Sequence, residues 1–195
     1  MRVLPHFLLW NLRLAAPAAL YTRAETACLE RHAAGRRRLV EIGCWHGVNT
    51  SRLRRVMASD GVLFAVDPYS AGRLGFSAPR IIARREVGRV HNGRVQWLRV
   101  TDIEAARTFV ATAEPPVDFV FSDCLNTFDG FRRTWDAWSG LVEPGGIYIL
   151  ANSHSSRTRR LDDVGSARFT REVVRHDERF RFVETVDTFT VMKKR

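Results

Sequence analysis

A glycine-containing turn near residue 45 has the composition of a ligand-binding loop. Residues 41–47 read EIGCWHG, and Gly43 and Gly47 allow the backbone to turn sharply and to pass close to a ligand. The helix predicted to follow offers free N–H groups at its start. Because the GxGxxG and GK[ST] spacings are missing, the turn favours a small nucleoside-like ligand over a pyrophosphate or triphosphate, with a purely structural turn as the alternative.

Acidic residues stand where two further predicted strands end. Asp67 follows the second strand, twenty residues after Gly47, and a carboxylate in this position can accept both hydroxyls of a ribose. Asp102 follows the third strand. Together with Glu41 in the turn, these carboxylates indicate a nucleoside-binding constellation rather than an isolated motif.

Five short apolar runs alternate with helical segments along the chain. This alternation predicts a doubly wound, mostly parallel α/β sheet with helices on both faces. The predicted strands cover residues 37–44, 62–67, 95–100, 117–123 and 146–152. The predicted helices cover residues 18–34, 49–61, 77–91, 103–113, 129–141 and 164–176. Near the C-terminus, RFRFVETV and TFTVMKK predict an antiparallel strand pair.

Capping and turn residues set several of these boundaries. Asn49 or Thr50 is the expected N-cap of the second helix, and Gly61 is its expected C-cap. Residues 144–146 read PGG and predict a tight turn before the fifth strand. Aromatic residues at helical spacing predict the core face of one helix, with an acceptor pocket as the alternative. They are Phe128, Phe131, Trp135 and Trp138.

Right-handed crossovers place the carboxyl ends of parallel strands at one edge of the sheet, where ligands bind. The residues expected at this edge are Gly43, Asp67, Thr101, Asp102, Asp123 and Asn152. The length predicts one domain over residues 1–195, with an N-terminal helical segment or lid over 1–35 and a core over 37–195.

These motifs together resemble those of class I S-adenosylmethionine-dependent methyltransferases. EIGCWHGVNTS, DPYS, VDFVFSD and LVEPGGIYIL occur in the expected order over residues 37–152. More narrowly, the chain is similar to the small O-methyltransferase-like group related to macrocin O-methyltransferases and cephalosporin hydroxylases. The resemblance implies a Rossmann-like methyltransferase fold and S-adenosylmethionine as cofactor.

The resemblance also implies a cofactor site. The glycine loop would wrap the methionine end, the acid of the second strand would hold the ribose, and the tip of the third strand would lie by the adenine. The implied residues are Glu41, Gly43, Cys44, Trp45, His46, Gly47, Asp67, Thr101, Asp102 and Asp123.

The catalytic end departs from the family pattern. Relatives carry a histidine and a tyrosine after the fourth strand, where this chain has Asn126 and Phe128. Metal-dependent relatives bind a divalent cation through acids at the fourth and fifth strands. Here Asp123 is the one acid, with Asn152 and Ser153 as neutral neighbours. Since hard cations favour several oxygen ligands including carboxylates, we expect no metal site.

Methyl transfer then needs alignment of a hydroxyl with the donor and a base for its proton. His154, just past the fifth strand, is the first candidate for the catalytic base, and Asp123 is the second. The alternative for His154 is a solvated loop histidine beside three serines. Cys124 is expected to be a buried structural thiol rather than a nucleophile.

The charge distribution bears on which molecule the protein would act upon. The chain has 31 Lys and Arg against 21 Asp and Glu, a net charge of +10, and its basic stretches flank an acidic middle over residues 101–150. We expect a small hydroxylated metabolite as acceptor, with an anionic acceptor as one possibility. Arginines beyond the second strand are either anion ligands or a solvated face: Arg73, Arg80, Arg84 and Arg85. The alternatives are an RNA methyltransferase and a non-catalytic cofactor-binding protein.

Two further features bear on the compartment. Cys28, Cys44 and Cys124 are widely spaced without a CxxC pair, which favours a reducing, cytoplasmic location over a disulfide or zinc framework. The apolar N-terminal stretch is interrupted by Pro5, Arg13 and Pro17 and is too short to span a bilayer. An amphipathic lid or a membrane-surface docking segment is favoured there over a secretory signal.

Overall fold

A computed structural model describes residues 3–72 and 75–195. Its seven strands form one sheet in the order β3-β2-β1-β4-β5-β7-β6. The strands are β1 (Arg38–Ile42), β2 (Val62–Val66), β3 (Arg94–Leu98), β4 (Val117–Ser122), β5 (Val142–Leu150), β6 (Phe180–Val186) and β7 (Phe189–Lys194). The helices are α1 (Val3–Asn11), α2 (Arg23–Ala33), α3 (Val48–Val56), α4 (Ala78–Gly88), α5 (Asp102–Ala111), α6 (Phe128–Trp138) and α7 (Gly165–Glu172).

The strand pairing confirms the predicted fold class. Strands β1 to β5 pair in parallel, with β1 between β2 and β4, so that Val40 lies beside Phe64 and Val120. The C-terminal strands β6 and β7 pair with each other antiparallel, and β7 adds antiparallel to β5. The order reverses at β1 and β4, which is the switch point where parallel sheets of this class open a crevice for ligands.

Apolar side chains cover both faces of the central strands. One face packs Val40, Phe64 and Val120 against α5 and α6. The other face packs Leu39, Leu63 and Phe119 against α2 and α3. Central strands buried on both faces read as continuous apolar runs, which is why β1, β2 and β4 were recognisable in the sequence.

Four predicted boundaries are wrong. The first predicted helix begins at Arg23 instead of residue 18, because Thr22 and Glu25 form a reciprocal capping box at its start. The N-cap of α3 is Gly47 rather than Asn49 or Thr50, and its C-cap is Met57 rather than Gly61. The expected tight turn at residues 144–146 lies inside β5, where the register against β4 shifts.

The N-terminal helix α1 packs on α4. The Trp10 indole N–H donates to Glu86 at 3.3 Å, and Arg85 lies over the indole ring at 5.4 Å. Leu8, Leu9 and Leu12 remain exposed. No helix in the described part of the chain has the length and apolar character that a bilayer crossing requires.

Aromatic residues of α6 form the centre of one core, as their spacing predicted. Phe131, Trp135 and Trp138 are buried. The ring of Trp135 lies 4.8 Å from those of Tyr148 and Phe180, and its indole N–H donates to Asp177 at 3.0 Å. This helix face is therefore core and does not form an acceptor pocket.

Trp135→Ala is expected to lower the free energy of unfolding by about 3–5 kcal/mol, because it leaves a large cavity at the centre of this core. The matched control is Val110→Ala on α5, whose side chain is 67% exposed; we expect a change within about 0.5 kcal/mol. Urea unfolding followed by circular dichroism measures both. A loss for Trp135→Ala as small as that of the control would contradict this description of the core.

Candidate functional site

The loop after β1 depends on two glycines at points of close contact. Gly43 has φ +88°, and a Cβ there would lie 2.2 Å from the carbonyl oxygen of Asp123. Gly47 has φ +71°, and a Cβ there would lie 2.9 Å from Cα of Ala83 on α4. A side chain at either position would be both strained and blocked by backbone. The loop can adopt this path only because both residues are glycine.

The Asp67 carboxylate holds this loop in place. Its Oδ2 accepts the backbone N–H of Cys44 at 3.0 Å and that of Trp45 at 2.9 Å. Its Oδ1 accepts the N–H of Tyr69 at 2.8 Å. A carboxylate offers about four acceptor positions, so Asp67 keeps acceptor capacity on Oδ1 while it positions the loop.

Left-handed backbone conformations cluster at this edge of the sheet. Trp45 has φ 44°, Tyr69 has φ 45° and Asn152 has φ 51°. They follow β1, β2 and β5 respectively. Such conformations cost about 1–3 kcal/mol each in non-glycine residues and concentrate at functional sites, where the surrounding structure imposes them.

Asp123 lies at the tip of β4 between two hydrogen-bond donors. The Tyr21 hydroxyl donates to Oδ2, and the Asn152 side-chain N–H donates to Oδ1 at 3.0 Å. Burial raises the pKa of Asp123, while the bonds from Tyr21 and Asn152 and the charge of Arg159 oppose that rise. The Asp123 carboxylate is therefore oriented from two sides and has a raised proton affinity.

Tyr21 was not predicted from the sequence. It lies in the segment between α1 and α2, and its ring packs edge-on against Phe189 at 4.9 Å and Phe121 at 5.9 Å. Its hydroxyl reaches a carboxylate 102 positions further along the chain. No local pattern in the sequence marks such a contact.

Glu41 is fully buried beneath the loop. Burial, with a smaller contribution from the charges of Asp123 and Asp67, raises the pKa of Glu41 to about 8. Glu41 is thus largely protonated at neutral pH. Both of its carboxyl oxygens are buried without a hydrogen-bond partner among the described residues.

His46 connects the N-terminal segment to the loop. The Ala18 N–H donates to His46 Nδ1 at 3.1 Å, which requires a ring that is unprotonated at Nδ1. Burial lowers the pKa of His46 to about 4, so the ring is neutral at physiological pH. It stacks on Trp45 at 4.1 Å and on His6 at 5.1 Å.

The residues predicted beside the third strand are at the expected edge, but their side chains have local partners. The Thr101 hydroxyl caps α5 in a reciprocal capping box with Glu104. The Asp102 carboxylate accepts the hydroxyl of Thr134 on α6 at 2.5 Å. Both residues order the start of α5.

Asp123 and His154 line different cavities. Asp123 borders a small cavity of about 30 Å³ together with residues 18–21 and the glycine loop. His154 is exposed and borders a cavity of about 460 Å³ beside α7 and the β6–β7 hairpin. The structure brings Asp123, the loop and Tyr21 together, and it places His154 on the neighbouring surface.

The arginines beyond β2 have different surroundings. Arg84 lies over the Trp97 ring at 5.6 Å and Arg85 over that of Trp10. Arg80 is half-buried on α4. Arg73 lies outside the described residues.

Other potential metal ligands come together away from this edge. Cys28, His32 and Glu184 offer atoms within 4.8 Å of one another between α2 and β6. Glu184 there already accepts from His32 and Arg31, each at 2.6 Å. Cys124 is half-buried, and its sulfur accepts the hydroxyl of Thr134 at 3.4 Å.

Tyr21→Phe is expected to raise the pKa of Asp123 further, because it removes a hydrogen bond that stabilises the charged carboxylate. Carboxyl ¹³C NMR titration measures this. Tyr69→Phe is the matched control, because the buried Tyr69 hydroxyl has no hydrogen-bond partner among the described residues. An Asp123 pKa that is unchanged or lower in Tyr21→Phe would contradict the assigned contact.

Comparison with known proteins agrees with this geometry. Residues 40–153 match a family model described as a methyltransferase domain. No curated protein sequence is significantly similar to the chain.

Several solved structures share the fold. An O-methyltransferase from Bacillus cereus in complex with SAH is 20% identical, with a TM-score of 0.66 over 100% of this chain and 91% of that one. TomG from Streptomyces achromogenes is 18% identical, with a TM-score of 0.67 over 100% of this chain and 90% of that one. It is an O-methyltransferase involved in tomaymycin synthesis and was solved with SAM. An rRNA methylase from Streptococcus thermophilus is 11% identical, with a TM-score of 0.61 over 90% of this chain and 99% of that one.

The matched model covers more than half of the chain, including the glycine loop, Asp67 and Asp123. The solved structures share its architecture over nearly their whole length. The chain therefore belongs to the methyltransferase-domain family and has the class I methyltransferase fold.

Proposed function

We propose that this protein transfers a methyl group from S-adenosylmethionine to a hydroxyl group of a small molecule, without a metal ion. The observation that carries the proposal is the arrangement at one sheet edge: the glycine loop, Asp67 beside it, and the buried Asp123 held by Tyr21 and Asn152. Two neighbours of the same fold were solved with SAM or SAH, and both are O-methyltransferases.

The polar groups at this edge match such a cofactor in type, and the cavity beside Asp123, about 30 Å³, would have to widen to admit it. The methionine end would lie along residues 43–47, where Gly43 and Gly47 let the loop pack closely against Asp123 and Ala83. Asp67 has acceptor capacity left for a ribose hydroxyl. The carboxylates of Asp67 and Asp123 give the site a negative potential that attracts a sulfonium cation. When bound, the cofactor supplies an electrophilic methyl group.

Asp123 is the proposed base for the proton of the acceptor hydroxyl. Burial moves the pKa of Asp123 upward, toward neutral pH. A general base is most effective when its pKa lies near the working pH. Tyr21 and Asn152 fix the direction of its oxygens, so the carboxylate need not reorient during the reaction. His154 is proposed as a second group that faces the acceptor from the larger cavity.

The proposal of metal independence rests on the groups that face Asp123. Tyr21 and Asn152 face it with a hydroxyl and an amide N–H, and neither adds a second carboxylate. Mg²⁺ and Ca²⁺ prefer several carboxylate or carbonyl oxygens. One carboxylate already bonded to two donors is a poor ligand set for either ion.

A second candidate, an RNA methyltransferase, has two observations in its favour. The net charge is +10, and the loop after β5 exposes Arg157, Arg159 and Arg160. Binding to RNA would weaken steeply with salt, since counterions are released when phosphates are neutralised. Filter binding over a range of salt concentrations separates this function from small-molecule methylation.

Asp67→Asn is expected to weaken binding of S-adenosylhomocysteine by roughly 10- to 100-fold, because it removes a charged acceptor for the ribose and loosens the loop. Isothermal titration calorimetry measures the affinity. Asp60→Asn is the control: Asp60 is exposed and pairs with Arg37, and we expect wild-type affinity. Equal affinities for the two variants would remove Asp67 from the cofactor site.

Metal removal is expected to leave both cofactor affinity and turnover unchanged. Incubation with EDTA, followed by addition of Mg²⁺, tests this in the same titration and with any acceptor found to be methylated. Turnover that EDTA abolishes and Mg²⁺ restores would overturn the metal-independent mechanism.

A further inference from the structure

The larger cavity lies beside the reaction edge, and of its wall residues only His154 has a role in the proposed methyl transfer. It measures about 460 Å³, within the size range of small-molecule sites. Its walls come from the loop after β5, from α7 and the short helical turn after it, and from the β6–β7 hairpin. The wall residues that matter here are Ser153, His154, Arg171, Arg175, His176 and Thr185.

This cavity has a strong excess of donors and positive charge. Arg171 and Arg175 are four residues apart on the same wall, and both are exposed. Arg175 lies over the Phe182 ring at 3.5 Å and makes no ion pair with any described residue. Arg171 has one distant contact, 3.5 Å to the exposed carboxylate of Glu172. Both guanidinium groups are therefore available to a ligand.

The one acid on the cavity wall, Asp162, already has hydrogen-bond and ionic partners. Asp162 accepts the Ser155 hydroxyl at 2.7 Å and lies 3.9 Å from Arg160. In the described part of the chain it forms no ion pair with Arg171 or Arg175. A cavity with two exposed guanidinium groups and two imidazoles matches the donor requirements of an oxyanion.

The cavity wall and the reaction edge are formed by consecutive residues of the chain. Asn152, whose amide holds Asp123, directly precedes Ser153 and His154 on the cavity wall. Ser153 is fixed there by its hydroxyl, which donates to the carbonyl of Leu150 at 2.8 Å. The positive charge of Arg159 in the same loop acts on Asp123. The wall of the cavity therefore begins at the residue that follows one in contact with Asp123.

We propose that this cavity binds the oxyanion of the methyl acceptor, a phosphate or carboxylate gripped by Arg171 and Arg175, while a hydroxyl of the same molecule reaches Asp123. This inference rests on the proposed methyltransferase function. It narrows the acceptor class to hydroxylated small molecules that carry an anionic group.

The test measures binding of inorganic phosphate to the full chain by calorimetry, with and without S-adenosylhomocysteine. The cavity variant is Arg171→Ala/Arg175→Ala. The charge-matched control is Arg55→Ala/Arg181→Ala, since both of these arginines are exposed and neither lines the cavity. A parallel titration with acetate distinguishes a phosphate site from a carboxylate site.

We expect the wild type and the control to bind one oxyanion with similar affinity, and the cavity variant to bind it at least about tenfold more weakly. S-adenosylhomocysteine should bind all three proteins equally. An equal loss of phosphate and acetate affinity in the two double variants, or no saturable binding of either anion to the wild type, would overturn the inference. Anion binding by a wild type that fails to bind S-adenosylhomocysteine would instead contradict the methyltransferase role and the assignment of the anion to an acceptor.

Discussion

The site depends on the close approach of the carboxyl ends of β1 and β4. The Asp123 N–H donates to the carbonyl of Ile42 at 2.8 Å, and the Asp123 carbonyl lies where a side chain at residue 43 would be. Only glycine permits this contact. It brings the loop after β1 against the acid after β4, and Asp67 then anchors the far side of the loop from β2. Three strands thereby present one continuous surface to a ligand.

The close approach of these strand ends also brings acidic side chains near one another. Glu41, Asp67 and Asp123 converge on the loop, and their mutual repulsion adds to the burial that raises the pKa of Glu41 to about 8. Asp123 also has a raised pKa, although two donors and Arg159 oppose the shift. A bound cation would lower the cost of keeping Asp123 charged, as expected of a site for a sulfonium. The basic surface lies outside this acidic centre, around the loop after β5 and along α7.

Features encoded locally were predictable from the sequence. Central strands such as β1 and β4 are continuous apolar runs, and the aromatic spacing of α6 corresponds to one buried face. The placement of Asp67 and Asp123 at strand ends followed from the alternation of strands and helices. The left-handed cap at Gly47 was missed because Asn49 and Thr50 are plausible caps two and three residues later. The capping box of Thr22 was also missed, although its Thr-x-x-Glu spacing is a local signal.

Features that depend on distant contacts were not predictable. Tyr21 meets Asp123 only because the segment before α2 crosses the sheet edge, and no periodicity in residues 12–22 indicates that path. The separation of His154 from the cavity beside Asp123 depends on how the loop after β5 leaves the sheet at Asn152, with its left-handed backbone. The sequence ranked His154 before Asp123 as the candidate base, and the structure places the two residues in different cavities.

The most direct test of this account is a crystal structure with S-adenosylhomocysteine bound. We predict ribose hydroxyls within hydrogen-bond distance of Asp67, the homocysteine chain along residues 43–47, and the sulfur directed toward Asp123. A ligand bound elsewhere, or a sulfur directed away from Asp123, would contradict the assignment of this edge as the methyl-transfer site.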